Sequence, residues 1–580
     1  MNLPSPAFLT RHELRLVLFG GKGGVGKTSC ATATALHWAE KNPTTPILLV
    51  STDPAHSISD SLAGAVPPSN LTVLELDAQA CMAEFQLQHR LKFQEIASRG
   101  TFLDATDIDQ VLNLSLPGLD ELMAFLEICR WTEVHQYQTI FVDTAPSGHT
   151  LRLLGMPVIM RQWLGALNAL LAKHRYLKRL YCGTYQPDEI DQFLVKLAAS
   201  VDQMDALLRN PACCQFVPVV LAEEMCFRET VALLEELRRA GVPITDLVVN
   251  RLLPANRCPV CATGRLRQSR ELNKLRDAQE LFSGPIWGLP LYPDEVCGIE
   301  PLRRFWKGLV DLTPRSIAPP RPAHFPRPMI EAPAKPPASD LAMVILAGKG
   351  GVGKTTLACS TALRMVDDFP GREVLLFSTD PAHSLSACLK LPIGPTPKRV
   401  VDGLTAVEID AQSEFASLKR LYSRELAAFF KSLLPEMDLA YDREAMENFL
   451  DLAPPGLDEV MALTHLMDLL DQGQFQSFVL DSAPTGHLIR FLEMPGLINH
   501  WLKVYFGLAL KYKHLFRTPK VTQRLVKISK ALKSFRTLIS NPVQCSLYAV
   551  SILTSMAFHE TKDLIDACQR IGIDVPILFL

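Results

Sequence analysis

Gly21-Lys22-Gly23-Gly24-Val25-Gly26-Lys27-Thr28 appears a second time as Gly348-Lys349-Gly350-Gly351-Val352-Gly353-Lys354-Thr355. Each copy fits the phosphate-loop pattern G-x-x-x-x-G-K-[ST]. Each follows an apolar run, Leu16-Val17-Leu18-Phe19 or Met343-Val344-Ile345-Leu346, and opens a helical pattern. Strand, glycine-rich turn and helix N-terminus together bring backbone N–H groups and the positive end of a helix dipole onto phosphate oxygens. Lys27 and Lys354 then reach the β- and γ-phosphates, Thr28 and Thr355 present hydroxyls to Mg²⁺, and Ser29 and Thr356 continue the cradle into each helix. The chain reads as a nucleoside-triphosphate-binding protein with two sites.

The repeat extends well beyond the loops. Leu48-Leu49-Val50-Ser51-Thr52-Asp53-Pro54-Ala55-His56-Ser57 recurs as Leu375-Leu376-Phe377-Ser378-Thr379-Asp380-Pro381-Ala382-His383-Ser384. Pro117-Gly118-Leu119-Asp120-Glu121 recurs as Pro455-Gly456-Leu457-Asp458-Glu459, and Asp143-Thr144-Ala145-Pro146-Ser147-Gly148-His149 as Asp481-Ser482-Ala483-Pro484-Thr485-Gly486-His487. Preserved order and near-preserved spacing mean two copies of one domain, placed at 15–312 and 341–580 after an N-terminal tail, 1–14. Between them, 313–340 carries prolines at 314, 319, 320, 322, 326, 328, 333, 336 and 337, the composition of a semi-rigid extended linker. Short apolar runs alternating with longer helical patterns predict an α/β fold. Each copy is expected to be a mostly parallel sheet flanked by helices, with ligand loops at the carboxyl ends of the strands and the copies paired as a pseudo-dimer.

The copies are unequal at their ends. Gly241 through Val249 aligns with Gly572 through Leu580, so the sequence stops one residue before a counterpart of Asn250 and the second copy reads as short at its carboxyl end.

Bulk properties narrow the function. A 580-residue chain needs more than one core. A formal net charge of −2 leaves no basic footprint, so nucleic acid is excluded as an expected partner. No apolar run approaches the roughly 18–20 residues of a membrane span, and no secretory leader is evident. The fourteen cysteines form no disulfide framework, which fits a reduced, cytoplasmic protein.

Asp143 and Asp481 end apolar strands, as the aspartate that positions a Mg²⁺ water shell does in P-loop enzymes; an aspartate capping a turn is the plainer alternative. Asp53 and Asp380 follow buried-looking strands and are candidates for orienting the attacking water. Lys22 and Lys349 occupy the second loop position, where most phosphate loops tolerate any residue. A lysine there needs an anionic partner once desolvated. If the two loops face each other, each lysine reaches the nucleotide of the opposite half and neutralises transition-state charge as an arginine finger does.

The double GKGGVGKT loop with the STDPAHS and DTAPSGHT segments resembles the ArsA/GET ATPases, a deviant-Walker branch of the P-loop proteins, over nearly the whole chain. The resemblance implies ATP and Mg²⁺ as cofactors and ATP hydrolysis as the activity. It implies that Lys22 and Lys349 act across the pseudo-dimer, that Asp53 and Asp380 handle the water, that Asn250 recognises adenine, and that Ser51–Ser57 and Asp143–Arg152 are switches I and II. It also implies one of two roles. In the first, the cycle energises arsenite-like anion transport through a membrane pump subunit, at the inner face of a membrane. In the second, the chain is a cytoplasmic targeting ATPase for tail-anchored membrane proteins.

A third possibility is one active half with a regulatory pseudo-ATPase half. The tandem form is similar to ArsA. Gly118 and Gly456, however, stand where metalloid-binding members carry cysteine, and the PGLDE form resembles the targeting branch. Cys258-Pro259-Val260-Cys261 supplies half of a Cys₄ zinc site, which implies dimerisation through Cys258 and Cys261 if Zn²⁺ binds; a reduced pair in a loop is the alternative. The Leu- and aromatic-rich stretches Met160 to Leu207 and Leu497 to Ile539 are candidates for a client groove, or simply for helices packed on their own domain.

Overall fold

The computed structural model describes residues 5–53, 57–100, 104–112, 119–145, 147–182, 184–255, 258–277, 282–313, 341–379, 384–409, 457–482, 485–511 and 519–580. Asp380, Gly118, Gly456 and linker residues 314–340 lie outside the described residues.

Two sheets form the frame. The first contains β1 (Leu16–Gly20), β2 (Ile47–Ser51), β3 (Leu71–Glu75), β4 (Thr139–Asp143), β5 (Cys214–Leu221), β6 (Leu247–Leu252), β7 (Ile286–Pro290) and β8 (Val310–Asp311), in the order β3-β2-β4-β1-β5-β6-β7-β8. The second contains β9 (Met343–Ala347), β10 (Val374–Ser378), β11 (Lys398–Val401), β12 (Leu404–Glu408), β13 (Ser477–Asp481), β14 (Cys545–Val550) and β15 (Ile577–Phe579), in the order β11-β12-β10-β13-β9-β14-β15. With β12 standing for β3, the central order is the same in both. Pairing is parallel except at the edges, where β8 runs against β7 and β11 against β12.

Continuous apolar strands suit a sheet covered on both faces. All five residues of β1 are buried, and their period-two alternation divides them: Val17 and Phe19 pack in one core layer, Leu16 and Leu18 in the other. β9 does the same, with Met343, Ile345 and Ala347 on one face and Val344 and Leu346 on the other. Each central strand therefore anchors its phosphate loop between two packed helical layers.

The halves meet loop to loop. A Cβ built on Gly23 would fall 2.8 Å from the Cα of Gly350, and one on Gly24 only 2.5 Å from the Gly350 carbonyl oxygen. Only glycine admits this approach, and Gly24 and Gly351 also hold φ of +79° and +83°. Away from the loops, Lys511 Nζ donates to Asp104 at 2.5 Å and to Asp107 at 2.8 Å, and His559 Nδ1 lies 2.9 Å from Asp60 Oδ1.

Candidate nucleotide site between the two halves

The strand register assembles the site. β1 pairs with β4 so that Phe19 stands opposite Asp143, and β2 pairs with β4 so that Ser51 does too. Asp143 therefore emerges where the phosphate loop turns into its helix (Lys27–Lys41), and Thr28 Oγ1 donates to its Oδ2 at 2.7 Å. Thr144 Oγ1 ties the next residue back to the Phe19 carbonyl at 2.8 Å. The second half repeats the scheme: Leu346 and Ser378 stand opposite Asp481, and Ser482 Oγ donates to the Leu346 carbonyl at 2.6 Å. Asp143 and Asp481 are both buried. Their placement at the loop, rather than in an exposed turn, disfavours a mere capping role.

Lys27 and Lys354 are buried at the first helical position, and each Nζ donates back to its own loop, to the Lys22 carbonyl at 3.3 Å and the Lys349 carbonyl at 3.0 Å. Burial draws the Lys27 pKa down, opposed by Asp143 and Asp53; Lys349 of the other half pushes it further down. A triphosphate would supply the missing negative charge. Gly26 and Gly353 hold φ of +96° and +95°, which turns the loop around an open cradle. The cradle of N–H donors, the buried ammonium and the hydroxyl–carboxylate oxygens fit a nucleotide with Mg²⁺, a hard cation that takes oxygen ligands. Thr28 with Asp143, and Thr355 with Asp481, are the groups that would hold the cation.

A cavity of about 390 Å³ opens beside the first loop, lined by Gly24, Gly26, Ser29, Asn250, the 290–296 segment and, from the second half, Lys349, Gly350 and Gly351. Asn250 lies within β6, buried, with Nδ2 donating to the Val25 carbonyl at 2.9 Å. A Cβ on Gly26 would lie 2.3 Å from that same nitrogen, so a side chain there would push Asn250 off the loop.

Lys22 and Lys349 each have the anionic partner that desolvation requires, and it comes from their own half. Lys22 Nζ pairs with Glu229 on the helix Glu224–Ala240, and Lys349 Nζ pairs with Glu560 on the helix Ser555–Ile571. Sequence reading missed both glutamates. The signal was present: Phe227-Arg228-Glu229-Thr230 and Phe558-His559-Glu560-Thr561 are a further matched segment of the repeat. Lys349 also lines the first half's cavity, while its Nζ is paired within its own half. Asp53 is placed by its backbone N–H on Ser51 Oγ at 3.2 Å.

Cys258 is exposed and Cys261 partly buried at the start of the helix Pro259–Asp277, and the Cys261 backbone N–H draws the Cys258 pKa down. Among the described residues no three His, Cys, Asp or Glu side chains gather as a metal site. No described helix is long and apolar enough to cross a membrane.

A central strand, glycine-rich loop and helix, with an aspartate delivered by the neighbouring parallel strand, define a P-loop nucleoside-triphosphatase domain, here present twice. The profile of the anion-transporting ATPase family matches residues 14–311 and again 341–580, and the chain belongs to that family. ATPase ARSA1 of Chlamydomonas reinhardtii is 26% identical, with 98% of this chain and 79% of that protein aligned. ATPase GET3 of Rhodotorula glutinis is 30% identical over 51% of this chain and 88% of its own length. ATPase get3 of Schizosaccharomyces japonicus is 30% identical over 51% and 93%. The chain is thus an ATPase of tandem form, and ATP with Mg²⁺ follows from the family.

Proposed function

We propose that ATP binding draws the two phosphate loops together, that hydrolysis lets them part, and that this cycle energises anion transport of the arsenite type. The observation that carries the cycle is the face-to-face contact of Gly23–Gly24 with Gly350–Gly351, with Lys349 in the wall of the first half's cavity. In this reading Lys27 and Lys354 bind the β- and γ-phosphates. Thr28, Thr355, Asp143 and Asp481 hold the cation, directly or through water. Asp53 and Asp380 orient the attacking water, and Asn250 meets the base. Held by Thr28 and Asp143, or by Thr355 and Asp481, Mg²⁺ would supply positive charge to offset that developing on the phosphates. Lys349 adds a positive charge from the opposite half, where positioning and electrostatics carry most of the catalysis.

A second reading, a targeting ATPase for tail-anchored proteins, is favoured by the 30% identity of about half the chain to fungal GET3 ATPases. Zinc at Cys258 and Cys261 belongs to that reading and would need the same pair from a second chain. ATPase rate measured alone, with arsenite or antimonite, and with a tail-anchor peptide separates the two. The transport reading expects metalloid stimulation, and stimulation by the peptide alone would replace it with the targeting reading.

A further inference from the structure

The glutamates opposite Lys22 and Lys349 have a position that charge compensation alone does not require. Their side chains are only 10% and 9% exposed, and each is reached from a different element than the loop it serves. Gly21 and Gly348 press their loops against the backbone of β5 and β14: a Cβ on either would meet the Val219 or Val550 carbonyl oxygen at 2.1 or 2.0 Å. The helix that follows each of those strands then runs back past the loop and delivers its glutamate to the lysine. Burial pushes the Glu560 carboxyl up, against the pull of Lys349; Asp53 of the other half pushes it further up, and Lys354 pulls it down. Glu560 also acts on Lys27 across the interface. One carboxylate therefore feels Lys349, Lys354, Lys27 and the candidate water-orienting Asp53.

The same helices touch short helices of the opposing half. Ser555–Ile571 packs on the helix Ser57–Leu62 just after switch I of the first half, where His559 meets Asp60. Glu224–Ala240 packs on the helix Ser384–Leu389 of the second.

We propose that Glu229 and Glu560 are positioning residues: each holds the lysine of its own phosphate loop in the nucleotide-free chain and yields it to a triphosphate, so that ATP competes with a carboxylate for Lys22 and Lys349. The proposal rests on the ATP-driven cycle above. An isolated buried ion pair is a weak source of stability, because desolvation offsets its attraction. A pair built twice beside a phosphate cradle is instead a threshold, since the ammonium must exchange one anion for another to reach a phosphate. Movement of the lysine frees a helix that already contacts the other half, which couples phosphate arrival to the contact between the halves.

The test uses Glu560→Gln in the full chain, with Glu229→Gln as the second variant and Glu560→Asp as the conservative control. In the nucleotide-free chain, acylation of Lys349 by a small amine-selective reagent, read by peptide mass spectrometry, should be several-fold faster in Glu560→Gln. The KM for ATP should fall about tenfold, the lower end of the scale of one charge-assisted contact, while kcat does not rise with it. Glu560→Asp should restore wild-type values. Unchanged acylation, or a KM that stays level or rises, overturns the proposal. A wild-type chain that fails to hydrolyse ATP would sink the functional reading instead, and the acylation rates would still decide whether the carboxylate holds the lysine.

Discussion

The two halves share a triphosphate cradle and differ in what surrounds it. Beside the first loop, Asn250 and the 290–296 segment build one wall of a cavity, and the second half's loop lines another. Closer in, the difference is chemical. Where the first half has buried Thr32 and Ser61, the second has Cys359 and Cys388. A hydrogen bond from Cys359, with a weaker one from Thr356, holds the Cys388 thiol below the ordinary thiol range, while the same pairing and burial push Cys359 up. At the interface, Asp60 meets His559, whereas the matching positions carry Ala387 and Arg228. The lesson is that the duplication keeps the phosphate loops, their strands and the strand-end aspartates, and lets the residues packed around them diverge.

The largest expected effect breaks the shared part. Lys27→Ala should abolish ATP binding in the first half and Lys354→Ala in the second, each lowering turnover at its site by about a hundredfold or more. Equilibrium binding of a fluorescent ATP analogue checks this through stoichiometry, and full turnover in the double variant would refute it. A smaller effect isolates the first half's wall. Asn250→Ala should raise the KM for ATP about tenfold and weaken preference for ATP over GTP, because a buried amide that meets the base and anchors Val25 is lost. A preference for ATP that survives intact would remove Asn250 from base recognition.

The thiol difference makes a ranking. Iodoacetamide at neutral pH should modify Cys388 ahead of Cys359, since thiolate is the reacting species. The reverse order would contradict the hydrogen-bond assignment. Smallest of all, Asp60→Asn should change turnover by no more than about threefold, the scale of an exposed ion pair.

Much of this was legible in the sequence. The loops, their flanking strands and the aspartates that end β4 and β13 are local patterns whose spacing forces their structure. Alternation of strand and helix signals was enough for two parallel sheets. The antiparallel edge strands β8 and β11 were not foreseen, because edge strands lack the continuous apolar run that marks a central one. Glu229 and Glu560 escaped for a different reason. A glutamate on a polar helix face has no local signature, and its lysine lies more than two hundred positions earlier, at separations of 207 and 211 residues. Only the register of β5 beside β1, and of β14 beside β9, brings them together.

The central claim is that each loop completes the site of the other, and it is most directly tested with one site silenced. In the Lys354→Ala background, where the first half supplies the turnover, adding Lys349→Ala should lower the remaining ATPase rate by about a hundredfold, as loss of a transition-state charge does. A rate unchanged by that second substitution would mean that Lys349 serves only its own half, and the account of two mutually completing sites would fail.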